Sequence, residues 1–147
     1  MQIWGPMGRF VLQETSFPKV FIGTGTGFAP LYFMLRKLQS ANSNLQTFFL
    51  FGVRELKDVF YQDQLEDWSK KSNFDYQIYC SRENTELPLK HTLGRVTEYL
   101  TPEAVHHLNK NNDTEFYICG SPAMVAEVRS MLELYGVPQE KVFFEQY

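Results

Sequence analysis

Cysteine is scarce in this chain. Only Cys80 and Cys119 occur among 147 residues. They lie far apart, so they offer neither a disulfide framework nor the close pairs of a metal site. A reducing cytoplasm is the expected compartment. Long apolar runs are also missing: nothing approaches the roughly 18 consecutive apolar residues of a membrane span. No basic segment followed by an apolar one opens the chain, so no secretory signal is read. Positive charge forms no stripe and the net charge is −3, which argues against nucleic acid as the main partner. Internal repeats and low-complexity tracts are absent. His106 and His107 have no cysteine or carboxylate cluster around them, so they read as solvated helix residues and no metal is expected. What is abundant is aromatic: 16% of residues, with 13 Phe and 8 Tyr, as a densely packed sheet requires. Hydrophobic and charged contents of 44% and 21% are ordinary for one globular domain with a real core.

The chain is organised around Gly23-Thr24-Gly25-Thr26-Gly27-Phe28-Ala29-Pro30. Lys19–Ile22 before it reads as a strand, and Leu31–Leu38 after it as a helix. A strand that turns on three glycines into a helix is built to meet a phosphate. Without a Cβ the backbone approaches the anion closely, and the free N–H groups and positive dipole end of the helix face it. The hydroxyls of Thr24 and Thr26 add donors. Two common varieties of such a loop are excluded. Phe28 stands where Gly-x-Gly-x-x-Gly needs its third glycine, and Val53-Arg54 stand where an acidic residue would hold a ribose. No Gly-Lys-Ser/Thr follows, so it is not a Walker A loop.

Periodicity sets the remaining elements. Leu31, Leu35 and Leu38 give the helix over about Ala29–Ser40 one buried face. Thr47–Phe51 is apolar on both faces, as a central parallel strand is. A helix is predicted over roughly Tyr61–Lys71 with Leu65 and Trp68 inward, then a strand over Phe74–Cys80 with Phe74, Tyr76, Ile78 and Cys80 on one face. Ser81–Gly94 reads as a polar loop. Short helices are predicted over Val96–Leu100 and Pro102–Leu108, and a strand over Glu115–Cys119. Ser121 caps the last helix, Pro122 occupies its first position, and Gly136 stops it. Lys141–Glu145 is the last strand. Arg9–Leu12, after the turn at Gly5–Gly8, reads as a short strand with no partner. Five strands alternating with helices predict an α/β fold: a five-stranded parallel sheet with helices on both faces, Rossmann-like, in the order 3-2-1-4-5. The carboxyl edge of that sheet, where ligands of open α/β sheets bind, gathers the glycine loop, Arg54, Ser81-Arg82 and Cys119-Gly120-Ser121.

These residues together resemble the nucleotide-binding domain of the ferredoxin–NADP reductase family. The family's Gly-Thr-Gly-Thr-Gly-x-x-Pro loop is matched by Gly23–Pro30. Its Cys-Gly-x-x-x-Met motif is matched by Cys119–Met124, and the Gly-Pro-x-Gly-x-Phe at the end of its flavin domain by Gly5–Phe10. Its final glutamate and aromatic residue are matched by Glu145 and Tyr147. The resemblance covers nearly the whole chain. It implies residues 14–147 as an NAD(P)-binding domain and residues 1–13 as the junction with a preceding flavin-binding barrel. The barrel's Arg-x-Tyr-Ser/Thr motif is not found, so FAD is expected in a partner domain, in cis or on a separate polypeptide.

The resemblance further implies hydride transfer from NAD(P)H to the flavin, and electron transfer onward to a protein or small-molecule acceptor, a ferredoxin-like protein or an oxygenase among them. Thr24, Gly25, Thr26 and Gly27 would hold the pyrophosphate, with Gly23 and Pro30 framing the loop. Cys119 would lie beside the nicotinamide, with Gly120, Ser121, Pro122 and Met124 as its motif. Glu145 and Tyr147 would meet both rings at the domain junction. Ser81-Arg82 and Arg95 resemble the Ser-Arg and Gly-Arg pairs of NADP-using bacterial members, and Arg54 lies on the same edge. The reading leans to NADPH over NADH, because a 2′-phosphate wants guanidinium forks. Blander accounts stand beside these: Cys119 as a buried strand-end thiol, the arginines as solvated loop residues, the last residues as a frayed terminus. Two other classes stay open, a stand-alone NAD(P)-binding regulatory or assembly module without redox turnover, and a flavodoxin-like FMN carrier.

Overall fold

The computed structural model describes residues 10–147. A parallel sheet is built from β1 (Lys19–Thr24), β2 (Thr47–Val53), β3 (Phe74–Cys80), β4 (His91–Leu93), β5 (Glu115–Gly120) and β6 (Val142–Gln146). Its order is β4-β3-β2-β1-β5-β6. The helices are α1 (Phe28–Ser40), α2 (Gln62–Trp68), α3 (Pro102–Leu108) and α4 (Pro122–Leu134).

The alternation of side chains along a strand divides the core into two layers. On one face Phe21, Phe49, Phe51, Ile78 and Tyr117 pack with Leu31 and Leu35 of α1 and with Leu65 and Trp68 of α2. On the other, Val20, Ile22, Phe116 and Ile118 pack with Val105 of α3 and with Val125 and Val128 of α4. Each fully buried side chain of this size contributes roughly 1.5–3 kcal/mol of transfer free energy. Strand β1 lies between β2 and β5 and is buried on both faces, which is why its sequence is an apolar run.

The sheet has six strands where five were predicted. His91–Leu93 lies inside the segment read as a polar loop. It pairs in parallel with the free edge of β3, Ile78 opposite His91 and Cys80 opposite Leu93. Three residues are too few to display an alternation, and the strand is fixed by its neighbour rather than by its own pattern. The other five keep the predicted order. Helix α2 is shorter than predicted. Tyr61 sits outside it with φ of 55°, a left-handed conformation that a bulky residue rarely adopts, and its carbonyl accepts the first helical bond from the N–H of Leu65. Val96–Tyr99 forms a 3-10 turn instead of an α-helix. Phe10–Leu12 is not a strand; Phe10 and Leu12 pack against the core layer of α1 and α2. Arg9 and the Gly5–Gly8 turn lie outside the described residues. No helix among the described residues is long and apolar enough to cross a membrane.

At the amino edge of the sheet, away from the glycine loop, Lys19 and Glu115 face one another in register. Both are almost wholly buried. Lys19 Nζ donates to Glu115 Oε1 at 2.5 Å and to Thr15 Oγ1 at 3.0 Å. The hydroxyl of Tyr117 donates to the same carboxylate at 2.9 Å and accepts the N–H of Gln13 at 3.0 Å. This network fastens residues 13–15 beneath β1 and β5. Burial, and then the neighbouring Glu115, push the Tyr117 hydroxyl well above the usual phenol range, against the bond from Gln13. Lys19→Met leaves Glu115 buried without its cation. It is expected to lower the unfolding free energy by about 3–5 kcal/mol, read as a lower urea midpoint. Lys19→Met/Glu115→Gln, which removes both charges, is expected to recover most of that loss.

Candidate functional site

The chain runs outward from β1 through β2 and β3 to β4, then returns to β5 on the other side of β1. The sheet therefore reverses direction between β1 and β5, and the crevice at their carboxyl ends is where ligands of such sheets lie. A cleft of about 1030 Å³ opens there. Its floor is the glycine loop.

That loop is shaped by close approach. Gly23, the residue before the last of β1, lies under α1; a Cβ there would stand 2.6 Å from Leu31 Cδ1. Gly25 has φ of +56°, where glycine is at ease. At Gly27 a Cβ would stand 2.2 Å from the carbonyl oxygen of Cys119, so only glycine lets the loop rest on β5. Gly25–Gly27 forms a 3-10 turn that runs directly into α1, and no side chain caps either element. The first N–H groups of a helix have no partners within it, so an anion in the cleft can take them. Thr24, Gly25 and Thr26 line the cleft. Gly27 is buried and Pro30, in the first turn of α1, is half-buried.

Across the crevice, Ser121 caps α4 by accepting the Met124 N–H at 3.3 Å, with Pro122 at the first helical position. Ser121 and Met124 line the cleft; Pro122 faces solvent. A Cβ on Gly120 would meet Met124 Cε and Thr24 Oγ1, each at 2.8 Å. Cys119 is only 2% exposed and does not line the cleft. Burial, with the Glu145 carboxylate as a second cause, pushes its thiol up to about 11. Glu145 is its register partner on β6. Tyr147 is not frayed: its N–H donates to Gly120 O at 3.2 Å and its hydroxyl to Thr24 O at 3.1 Å. Its ring therefore lies against the glycine loop.

The far side of the cleft is cationic. Arg54, Ser81, Arg82 and Arg95 all line it, brought together by the ends of β2 and β3 and the turn after β4. Arg82 N donates to Arg54 O at 2.8 Å, and Ser81 N to Val53 O at 3.0 Å. Among the described residues, none of these three arginines forms an ion pair. The predicted edge is thus one cleft, with Gly23, Gly27, Cys119 and Gly120 in its supporting layer.

Several lining residues were not anticipated. Arg36 adds a fourth guanidinium, and Asp58 and Glu127 are the carboxylates. Phe28, Tyr32, Phe60 and Tyr61 form an aromatic wall, with Tyr32 and Tyr61 stacked at 4.4 Å. Phe60 and Tyr61 are each 61% exposed. The adjacent aromatic pair before α2 was the available signal, but aromatic residues are so common here that it did not stand out.

A family model described as oxidoreductase NAD-binding domain matches residues 21–130. One component of the Na(+)-translocating NADH-quinone reductase of Klebsiella pneumoniae is 31% identical over 147 residues, 99% of this chain and 36% of that protein. The reductase component of propane 2-monooxygenase of Rhodococcus jostii is 28% identical over 144 residues, 97% of this chain and 39% of that protein. The chain thus spans less than half the length of these relatives. Among solved structures, an Amycolatopsis cytochrome P450 reductase superposes with a TM-score of 0.79 at 22% identity, over 97% of this chain and 42% of the other. A ferredoxin NADP+ reductase from Neisseria gonorrhoeae with bound FAD and NADP gives 0.71 at 20% identity, over 88% and 55%.

The Cys119 geometry carries a pH expectation. Below about pH 9 the thiol is protonated in both folded and unfolded chains. Between about 9 and about 11 only the unfolded chain ionises, so stability is lost as pH rises through that window. Cys119→Ala is expected to lack this step. In a Cys80→Ala background, native Cys119 is expected to resist alkylation until pH nears 11, while the urea-unfolded chain reacts from about pH 9; fast alkylation of the folded chain at neutral pH would contradict this burial.

Proposed function

The chain belongs to the oxidoreductase NAD-binding domain family, of the ferredoxin–NADP reductase type, and we propose that it is the NAD(P)H-binding unit of a flavoprotein reductase. The observation that carries this reading is the convergence in one cleft of an uncapped glycine loop, the β5–α4 turn and three unpaired arginines. These residues suit a dinucleotide: the loop offers N–H groups to a pyrophosphate, and the arginines offer forks to a phosphate beyond it.

Bound NAD(P)H would supply the hydride, and an FAD in an adjoining domain or polypeptide would accept it. The part of this chain is placement. The N–H groups of Gly25, Thr26 and Gly27, with the hydroxyls of Thr24 and Thr26, hold the pyrophosphate; Gly23 and Pro30 frame that loop. Gly120 keeps the floor of the crevice low between Thr24 and Met124, and Ser121 and Pro122 fix the start of α4. Cys119 stays protonated at neutral pH and gives a small uncharged side chain beneath the nicotinamide end. Glu145 and Tyr147 stand at the junction with the flavin domain. We place the junction itself at residues 1–13 and the NAD(P)-binding domain at 14–147. The packing of Phe10 and Leu12 and the Gln13–Tyr117 bond support this, since they bind the incoming chain to the core. Electrons would pass onward to a protein or small-molecule acceptor, a ferredoxin-like carrier or an oxygenase among them, and the buried, unpaired Cys80 and Cys119 suit a reducing cytoplasm.

We favour NADPH as donor. Ser81, Arg82, Arg95 and Arg54 surround one part of the cleft, and Val53-Arg54 rather than an acidic residue stand directly at the tip of β2, where a ribose hydroxyl would otherwise be held; Asp58, further along, lines the cleft but its Oδ2 accepts the Glu55 N–H. The relatives point both ways, one being named for NADH and a structural neighbour for NADP+. Calorimetric titration with 2′-phospho-AMP and with AMP tests the choice without a flavin. The phosphorylated fragment is expected to bind at least about tenfold more tightly, as two or three charge-assisted hydrogen bonds allow. Arg82→Glu is expected to abolish the difference. Equal binding would make NADH the donor, and binding of neither fragment would remove the nucleotide reading of the glycine loop.

A further inference from the structure

The polar contacts beneath the arginine cluster include one group that the nucleotide reading leaves unused. Glu83 follows Ser81-Arg82 on the same loop, and its carboxylate sits between two arginine-bearing segments. A negative charge there should oppose a phosphate or pair with a guanidinium. It does neither. Oε2 accepts the backbone N–H of Leu56 at 2.9 Å, and Oε1 accepts the Thr85 hydroxyl at 3.0 Å and the Asn84 N–H at 3.3 Å. Among the described residues Glu83 forms no ion pair. Its oxygens are taken by the Leu56 and Asn84 N–H groups and the Thr85 hydroxyl.

The segment that receives it is a closed unit. Leu56–Asp58 is a 3-10 turn in which Asp58 Oδ2 accepts the Glu55 N–H at 3.1 Å. Arg54 lies next to the residue that caps this turn, Glu55. Three contacts therefore extend the β2–β3 pairing past the strand ends: Ser81 to Val53, Arg82 to Arg54, and Glu83 to Leu56. The last is made wholly by a side chain, whereas Ser81 and Arg82 are joined to the β2 end through their backbone N–H groups, and it spans 27 positions of sequence. Past the strand ends these contacts hold the two loops together, and a bidentate anion site fails if its two cations drift independently.

We propose that Glu83 is a positioning residue that locks the Arg54 and Arg82 loops into one anion-binding fork, and so sets the preference of the cleft for a 2′-phosphate over a free hydroxyl. The proposal rests on the NADPH reading above. The same hydrogen bonds, that of the Leu56 N–H foremost, hold the Glu83 carboxyl below its ordinary range, so the brace is fully ionised at neutral pH.

The test is calorimetric titration of the 147-residue chain and its variants with 2′-phospho-AMP and with AMP. Glu83→Ala is expected to weaken 2′-phospho-AMP roughly tenfold, as the loss of one well-placed charge-assisted contact does, and to leave AMP nearly unchanged. Glu83→Gln is expected to restore most of the preference, because its amide oxygen accepts the same Leu56 N–H. Leu56→Pro deletes that donor from the other side. It suits the first position of a helical turn, and Glu55, at φ −130° and ψ 158°, already has the conformation that precedes proline. It is expected to reproduce Glu83→Ala, with the double variant no worse than either single one. The proposal is overturned if Glu83→Ala and Leu56→Pro keep the wild-type ratio of the two affinities. It is also overturned if they lose both ligands equally, which marks a general scaffold. A wild-type chain without preference for 2′-phospho-AMP defeats the NADPH reading and this proposal with it, and that result is visible before any variant is made.

Discussion

The close approach of the glycine loop to the backbone of β5 is the constraint on which the rest of this molecule depends. At Gly27 the position of a Cβ lies 2.2 Å from Cys119 O, and at Gly120 it lies 2.8 Å from Thr24 Oγ1. No other residue type permits either contact without moving its neighbours. These contacts bring the first turn of α1 and the first turn of α4 to the two sides of one crevice. They also bury Cys119 and seat Tyr147 over the loop. A phosphate-binding helix start exists in many folds; here its position relative to the second helix is set by two absent side chains.

The two edges of the sheet divide the work. At the amino edge charge is buried and satisfied: Lys19, Glu115, Tyr117 and Thr15 are mutually bonded. At the carboxyl edge charge is exposed and unsatisfied, with Arg54, Arg82 and Arg95 unpaired among the described residues. A closed network specifies how residues 13–15 lie against β1 and β5. An open set of cations remains available to a ligand. The aromatic core between them holds both edges in register, because β1, β2 and β5 are fixed on both faces.

Much of this was legible in the sequence. The Gly23–Pro30 stretch, Cys119–Met124 and the strand-end arginines fell where the order of strands placed them, since a parallel sheet puts every carboxyl end on one side. What was not legible came from neighbours rather than from local pattern. Strand β4 exists because β3 has a free edge. Tyr61 leaves the helical range where its ring stacks on Tyr32. Lys19, a charge at the start of a buried strand, is explained only by Glu115 opposite. Glu83 lies in the segment read as a polar loop, and its contact is with a backbone N–H far away in sequence. The depth of Cys119, at 2% exposure, comes from the Gly27 backbone resting on it.

The most direct measurement of the central claim is amide chemical-shift mapping of the chain during titration with NADP+. If the crevice between β1 and β5 is the nucleotide site, the largest shifts fall on Thr24–Phe28, Ser121–Met124, Arg82 and Arg95, and residues around Lys19 and Glu115 at the opposite edge stay still. Shifts that leave the glycine loop unmoved, or that centre on the amino edge of the sheet, would contradict the account.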